Sequence, residues 1–252
     1  MYKIPAKTLF VGKNIVFVPE CHSTNSLALE ISQKRDLAEG TIIITDHQKQ
    51  GRGQQGNFWI AEQGKNLTFS VVLKPVFLTI KDQFQLNMTI SMAIKDFLET
   101  QLGRQVYIKW PNDIIVSDRK ICGLLIENHI QGNVFLHSIV GIGLNVNQQN
   151  YPIKHAASMH MLLGLEYDLQ EVLEELCISL EHQYLELRQG RVDQLRAAYH
   201  ASLYGIDEPR NFMDDNGHLE GIIKGVDEYG RLVMETSSGI RHFNNRELKF
   251  RY

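Results

Sequence analysis

No apolar run in these 252 residues approaches the roughly 20 needed to cross a bilayer, and none of the ten histidines falls in an H-E-x-x-H or H-x-x-x-H pattern. The first absence argues against a membrane-spanning protein and the second against a zinc hydrolase. Cysteine is scarce. Cys21, Cys122 and Cys177 are an odd, scattered set without C-x-x-C spacing, which reads as reduced, buried thiols rather than a disulfide framework or a metal site. A basic excess is missing as well: the formal net charge is −3 and the pI about 6.4, which speaks against a general nucleic-acid or membrane-surface binder. The start, Met1-Tyr2-Lys3-Ile4-Pro5, has no signal-peptide apolar stretch, so the expected compartment is the cytoplasm.

What is present is enough apolar sequence, 43% of the chain, for one large core or for one core with a small satellite. Residues 14–18 read as a strand, and a helix follows Ser23-Thr24-Asn25 with Leu27, Ala28 and Ile31 on its inner face. Residues 41–45 and 66–74 are strongly β in character. From Asp82 to about Leu102 the apolar spacing turns helical, and strand-like runs then occupy 106–109, 113–117, 121–127 and 134–146. This order implies an α+β domain, a mixed sheet with helices packed on one face. Asp168 followed by Glu171 is a capping-box-like start, and Leu169, Val172, Leu176, Leu180, Tyr184 and Leu187 form the core stripe of a long helix. A short helix is expected over 191–200. Beyond Gly205 come three turn signals, at 214–217, 228–230 and 237–239, with short strands between them. The expected organisation is a main domain over 1–204 and a small antiparallel β-barrel or meander over 205–252, docked on it.

Residues 47–59 hold a glycine-rich loop, Gly51-Arg52-Gly53-Gln54-Gln55-Gly56, which places an arginine between two glycines and closes on Trp59. Flexible backbone, a fixed cation and an aromatic plate suit a nucleotide-phosphate site. The spacing also matches a dinucleotide-binding fingerprint, but Gly56 runs into Asn57-Phe58-Trp59-Ile60 rather than opening a helix. Residues 71–80 supply no acidic group for a ribose. Three further segments carry unusual residues. Ser23-Thr24-Asn25 opens a helix, and capping alone explains those residue types. In Lys109-Trp110-Pro111-Asn112-Asp113 a rigid turn accounts for Pro111 and the Asn-Asp pair but not for Lys109 and Trp110. In Arg119–Glu127, Lys120 opens an apolar strand that Gly123 interrupts. Close approach of a ligand explains this, and so does a solvated lysine with a bulge at Gly123. Gly141-Ile142-Gly143-Leu144-Asn145-Val146-Asn147 repeats the theme, with amide edges able to read a base. Asp113 and Glu127 are either magnesium-facing carboxylates or solvated strand ends.

Ser-Thr-Asn, then G-R-G-x-x-G with a following Trp, then K-W-P-N-D, then R-K-x-x-G-x-L-x-E, then G-I-G-x-N-x-N is a motif series that resembles the biotin protein ligases, in the same order, from about residue 20 to 147. The resemblance implies a class II synthetase-like catalytic domain with a small C-terminal SH3-like β-barrel. It implies a two-step reaction: biotin and MgATP give biotinyl-5′-AMP and pyrophosphate, and a lysine of a biotin carboxyl carrier domain then takes the biotinyl group and releases AMP. It assigns the catalytic roles to Arg52, Lys120, Lys109 and Asp113. Ser23, Thr24, Asn25, Gln48, Gly51, Arg52, Gly53, Lys120, Gly123 and Gly141 are the expected biotin contacts. Arg52, Gln54, Trp59, Asn112, Lys120 and Asn145 are the expected ATP and adenylate contacts, while the ligands of Mg²⁺ stay unassigned.

Two departures from the family pattern stand out. Many relatives carry basic residues where this loop has Gln54-Gln55. Only 22 residues precede Ser23, so the implied form is the short one, without an N-terminal helix-turn-helix and without a nucleic-acid or membrane partner. Edge strands of the main sheet allow a homodimer. Loop closure over 48–59 and roughly 147–160 is expected to shield the adenylate from water. A lipoate or octanoyl attachment enzyme of related fold and a non-catalytic biotin or adenylate sensor are the alternatives.

Overall fold

Strand β1 (Ile15–Cys21) and helix α1 (Thr24–Lys34) open the fold of the computed structural model, which describes residues 2–153 and 155–251. The side chain of Gln55, and Lys154 within the segment expected to close, lie outside the described residues. The main sheet continues with β2 (Thr41–Gln48), β3 (Leu67–Leu73), β4 (Tyr107–Lys109), β5 (Asp113–Val116), β6 (Arg119–Gln131) and β7 (Val134–Leu144). Helices α2 (Gln83–Leu102), α3 (Met159–Leu163), α4 (Leu169–Arg188) and α5 (Val192–Ala201) complete this part. The strand order is β1-β2-β3-β7-β6-β5-β4, with only the β1–β2 pair parallel, so the sheet is mixed as expected.

Alternation along the strands gives the sheet two unlike faces. Leu67, Phe69, Val71 and Leu73 of β3, with Val140, Ile142 and Leu144 of β7, point into one large core shared with α2, α4 and α5. Asp168 caps α4 by accepting from Gln170 N–H at 2.7 Å, and the expected stripe of that helix is buried there from Val172 to Leu187, with Leu169 partly buried against it. The opposite face carries Thr68, Ser70, Gly141 and Gly143 in paired register. There the structure departs from helices on one face: α1 packs on this second side through Ala28, against Ile43, Val72 and Ile139. The physical reason is the strand period, since Ile43 points away from Ile42 and Ile44 and needs its own apolar cover.

The C-terminal part forms a five-stranded antiparallel sheet from β8 (Pro209–Asp214), β9 (Gly217–Val226), β10 (Leu232–Thr236), β11 (Gly239–Phe243) and β12 (Lys249–Phe250). Its turns fall at all three of the expected signals. The order is β11-β10-β9-β8-β12, so β11 and β12 are the two edges. Phe212, Ile223, Leu232, Met234 and Phe243 belong to the same apolar cluster as the main domain, and Trp110 Nε1 donates to the carbonyl of Gly230 at 2.9 Å.

Glu181, a charged residue only 6% exposed, ties the N-terminal segment to α4. Its carboxylate accepts from the backbone N–H groups of Leu9, Phe10 and Val11 at 2.6, 2.7 and 3.0 Å. Truncation leaves one buried and two part-buried donors short of an acceptor, so Glu181→Ala should cost about 3 kcal/mol and lower the melting temperature by roughly 6–12 °C in scanning calorimetry. A shift under about 2 °C would mean that water replaces the carboxylate there.

Candidate active site

The polar face of the main sheet is organised in rows by register. One row runs Lys109, Asp113, Gly123, Gly143, Thr68, Thr45 across β4, β5, β6, β7, β3 and β2. The next holds Leu125, Gly141, Ser70 and Ile43. Lys120, opposite Ile115 in the neighbouring row, is turned onto the same face by a β-bulge. Ile115 pairs with Lys120 while Ile114 pairs with Cys122, so one extra residue, Ile121, is absorbed into the core. Without the bulge, strict alternation over the same three-residue spacing would aim Lys120 and Gly123 to opposite faces. The bulge is therefore at Ile121 rather than at Gly123.

Above this face lies a cavity of about 310 Å³. Of the sequence-expected residues, Ser23, Thr24, Asn25, Gln48, Arg52, Gly53, Gln54, Trp59, Lys109, Asn112, Asp113, Lys120, Gly123 and Gly141 all line it. Two do not. Gly51 sits behind the loop, where the carbonyl of Trp59 and Gln48 Nε2 fill the space a Cβ would take. Asn145 is buried beneath the floor, 3% exposed, with Nδ2 donating to the carbonyl of Ala157 at 2.9 Å. Its Oδ1 has no hydrogen-bond partner, an uncommon condition for a buried amide oxygen.

The glycine loop folds back on itself. Gly53 N–H donates to the carbonyl of Asn57 at 2.7 Å and Trp59 N–H to that of Gly51 at 2.9 Å. The tip, Gln54–Gly56, is a single 3₁₀ turn in which Gly56 has φ of +81°. This hairpin carries the Trp59 indole onto the sheet, where a Cβ on Gly143 would overlap the ring. Lys120 Nζ lies 5.7 Å from the indole centroid, and Trp59 Nε1 is buried without a partner. The strand glycines thus make room for Trp59 at Gly143 and for Asn25 at Gly141, where an added Cβ would stand 2.5 Å from Asn25 Oδ1.

Four cations line the cavity, Arg52, Lys109, Lys120 and Lys249, against the single carboxylate of Asp113. Lys120 Nζ is 2.6 Å from Asp113 Oδ1, and Arg52 Nη2 is 2.7 Å from Glu127 Oε2. Such an excess suits a ligand with several negative charges. Burial pushes the pKa of Lys109 below the ordinary lysine range; Asp113 opposes the shift and Lys120 adds to it. Ser23 occupies the N-cap of α1 without using its hydroxyl as a cap, which leaves the group facing the cavity unexplained by helix capping. Burial raises the pKa of all three cysteine thiols, so the site holds no activated thiolate.

Sequence reading missed Thr68, Ser70 and the C-terminal wall, where Asn245, Leu248, Lys249 and Phe250 line the cavity; it singled out Gly143 and Glu127 without placing either against its partner. The alternation Leu67-Thr68-Phe69-Ser70 is a usable signal, because it puts both hydroxyls on one face. Nothing local marks the C-terminal residues. Asn245 Nδ2 donates to Gln54 Oε1 at 2.5 Å, and Lys109 Nζ lies 4.9 Å from the Phe250 ring centroid.

A model of the biotin/lipoate A/B protein ligase family matches residues 18–145, and one of the biotin protein ligase C-terminal domain matches residues 211–245. The chain is 27% identical over 248 residues to the bifunctional ligase/repressor BirA of Bacillus subtilis, covering 96% of this chain and 76% of that protein. It is 26% identical over 223 residues to the biotin–[acetyl-CoA-carboxylase] ligase of Mycobacterium tuberculosis, covering 86% and 82%. Among solved structures, biotin protein ligase from Aquifex aeolicus in complex with biotin and ATP aligns with a TM-score of 0.79 at 25% identity, covering 95% of this chain and 99% of that one.

Proposed function

Because the chain belongs to the biotin/lipoate A/B protein ligase family, we infer that it is an ATP-dependent biotin protein ligase. It activates biotin as biotinyl-5′-AMP and transfers the biotinyl group to a lysine of a carboxylase's biotin carboxyl carrier domain. In the first step a carboxylate oxygen of biotin bonds to the α-phosphorus and pyrophosphate leaves. In the second, the lysine nitrogen bonds to the acyl carbon and AMP leaves. The observation that carries the site assignment is the convergence of Arg52 and Lys120 over one glycine-floored cavity.

The first step brings two anions together, and fixed cations lower that repulsion. Arg52 offers a planar fork for two oxygens, and Lys120 a compact charge that reaches both the carboxylate and the α-phosphate. Ser23, Thr24 and Gln48 supply the polar groups for the urea ring. The orphaned Oδ1 of Asn145 is an acceptor suited to the amino group of adenine, just below the cavity floor. Asn112, Gln54 and Trp59 surround the nucleotide, and Lys109 and Lys249 supply charge for its phosphates. Magnesium fits as part of the MgATP co-substrate, held chiefly by phosphate oxygens. Among the described residues no cluster of three or more His, Cys, Asp or Glu could hold a metal, and Asp113 is the carboxylate in the cavity able to join it. We assign the ligase chemistry to residues 1–204, and to residues 205–252 the far wall of the nucleotide end. The enzyme acts in the cytoplasm on this reading; among the described residues no helix is long and apolar enough to cross a membrane.

Biotin-dependent ATP–pyrophosphate exchange by the native chain, followed by transfer to an isolated carrier domain, is the direct test. Exchange with lipoate but not with biotin would refute the substrate assignment, and biotin binding without exchange would leave only a sensor. Lys109 adds a pH test. Its pKa is lowered by burial, so it loses its proton earlier than an ordinary lysine as pH rises. The value of kcat/KM for MgATP should therefore decline on the alkaline side below the ordinary lysine range of about 10.4, and Lys109→Arg should move that decline upward.

A further inference from the structure

A continuous run of polar contacts crosses the cavity floor. Gln48 Oε1 accepts from Thr24 N–H at 2.7 Å and from Thr24 Oγ1 at 3.2 Å. Ser70 Oγ lies 2.7 Å from Thr24 Oγ1 and 2.6 Å from Asn25 Oδ1. Asn25 Nδ2 donates to Glu127 Oε2 at 2.8 Å, and the same oxygen accepts from Arg52 Nη2 at 2.7 Å. These groups come from α1, β2, β3, β6 and the glycine loop, so no local turn requires them.

Asn25 is held at every side of its amide. Its second amide hydrogen goes to the carbonyl of Leu125 at 3.1 Å, so both hydrogens are committed to protein groups. Ser70 is fully buried, Thr24 and Asn25 are each 3% exposed, and in such surroundings an unpaired polar group is costly. Ser70 has one hydroxyl hydrogen for two close oxygens. What Thr24 does with its own hydrogen therefore decides whether Ser70 serves Asn25, and through it Glu127.

The geometry points to Asn25 and Glu127 as positioning residues that couple the grip on the urea ring, at Thr24 and Gln48, to the seating of Arg52. This rests on the biotin ligase reading. Asn25 then acts through Glu127 rather than by touching biotin, and Glu127 fixes the guanidinium where the carboxylate and α-phosphate meet.

A double-mutant cycle tests the coupling. Biotin affinity is measured by titration calorimetry for the native chain, Thr24→Val, Arg52→Ala and the double variant, then for the same four in a Glu127→Gln background. Thr24 also reaches Arg52 through Gln48 and the loop backbone that follows it, a route that Glu127→Gln leaves intact, so the comparison of backgrounds separates the two routes. In the native background the double variant should bind about tenfold more tightly than the two single losses multiplied together. With Glu127→Gln the losses should multiply to within about twofold. Asn25→Ala is the second background, with near-ultraviolet circular dichroism to verify folding, and should abolish the coupling in the same way. Independent losses in the native background, or undiminished coupling in the Glu127→Gln background, would overturn the inference while leaving a working ligase. If the native chain does not bind biotin, the ligase reading itself falls and the inference with it.

Discussion

Lys120→Ala should lower biotin-dependent pyrophosphate exchange by about 10³-fold, near the upper end of what removal of one preorganised group costs. The lysine is held by an ion pair to Asp113, and its Nζ would stand 3.0 Å from a Cβ placed on Gly123. It is thus packed over the glycine floor instead of extending into solvent. Truncation leaves Asp113 without its ion-pair partner where another anion must arrive, so repulsion adds to the lost attraction. Lys120→Arg keeps the charge but brings a larger planar group to a confined place, and should recover only part of the rate. Arg52→Ala should fall less far, by about 10²-fold, because its side chain is 44% exposed and water screens it. Exchange within threefold of native in Lys120→Ala would remove this lysine from the reaction.

The second large effect is expected on stability. Trp110→Ala should cost about 3–5 kcal/mol, the usual range for deleting a buried large aromatic. Trp110 is 5% exposed, belongs to the shared apolar cluster, and donates its indole N–H to Gly230 in the C-terminal sheet. A fall of roughly 6–20 °C in melting temperature should accompany the loss. Trp110→Phe keeps most of the apolar area and loses the hydrogen bond, so it should cost about 1–2 kcal/mol. Equal shifts for the two variants would place the stabilisation in the hydrogen bond rather than in packing. Because Lys109 and Asn112 flank this residue, exchange activity should fall in Trp110→Ala below the temperature at which it unfolds.

The elements that sequence reading located well are those whose chemistry is written locally. The glycine hairpin, the K-W-P-N-D turn and the Asp168 cap each follow from neighbouring residues. The three turns of the small sheet do too, because Gly, Asn and Asp there satisfy special backbone angles or cap turns. Strand ends were less legible: β6 continues to Gln131 rather than 127, since hydrogen bonding to β7 extends a strand past its apolar segment. Contacts between distant segments were the least legible. Ser70 meeting Asn25, Glu127 meeting Arg52 and Asn245 meeting Gln54 depend on strand register and on packing, neither of which has a local signature. The bulge at Ile121 is the clearest case. Alternation counted through residues 120–123 aims Lys120 away from the floor, and only the paired register reveals that it joins Gly123.

That extra residue lets an odd spacing keep a single face. Deleting Ile121 would leave Lys120 and Gly123 two positions apart, where plain alternation still sends both to the cavity side. The ammonium would keep its aim, while the core lost a fully buried isoleucine and the strand its local bend. Straightening the strand at full length does the opposite harm: it swings the ammonium into the hydrocarbon interior or drags the glycine out from under Trp59. Directed evolution of this chain would then find deletion at Ile121 punished in stability, and loss of the bulge at full length punished in catalysis, even where every remaining side chain is chemically native.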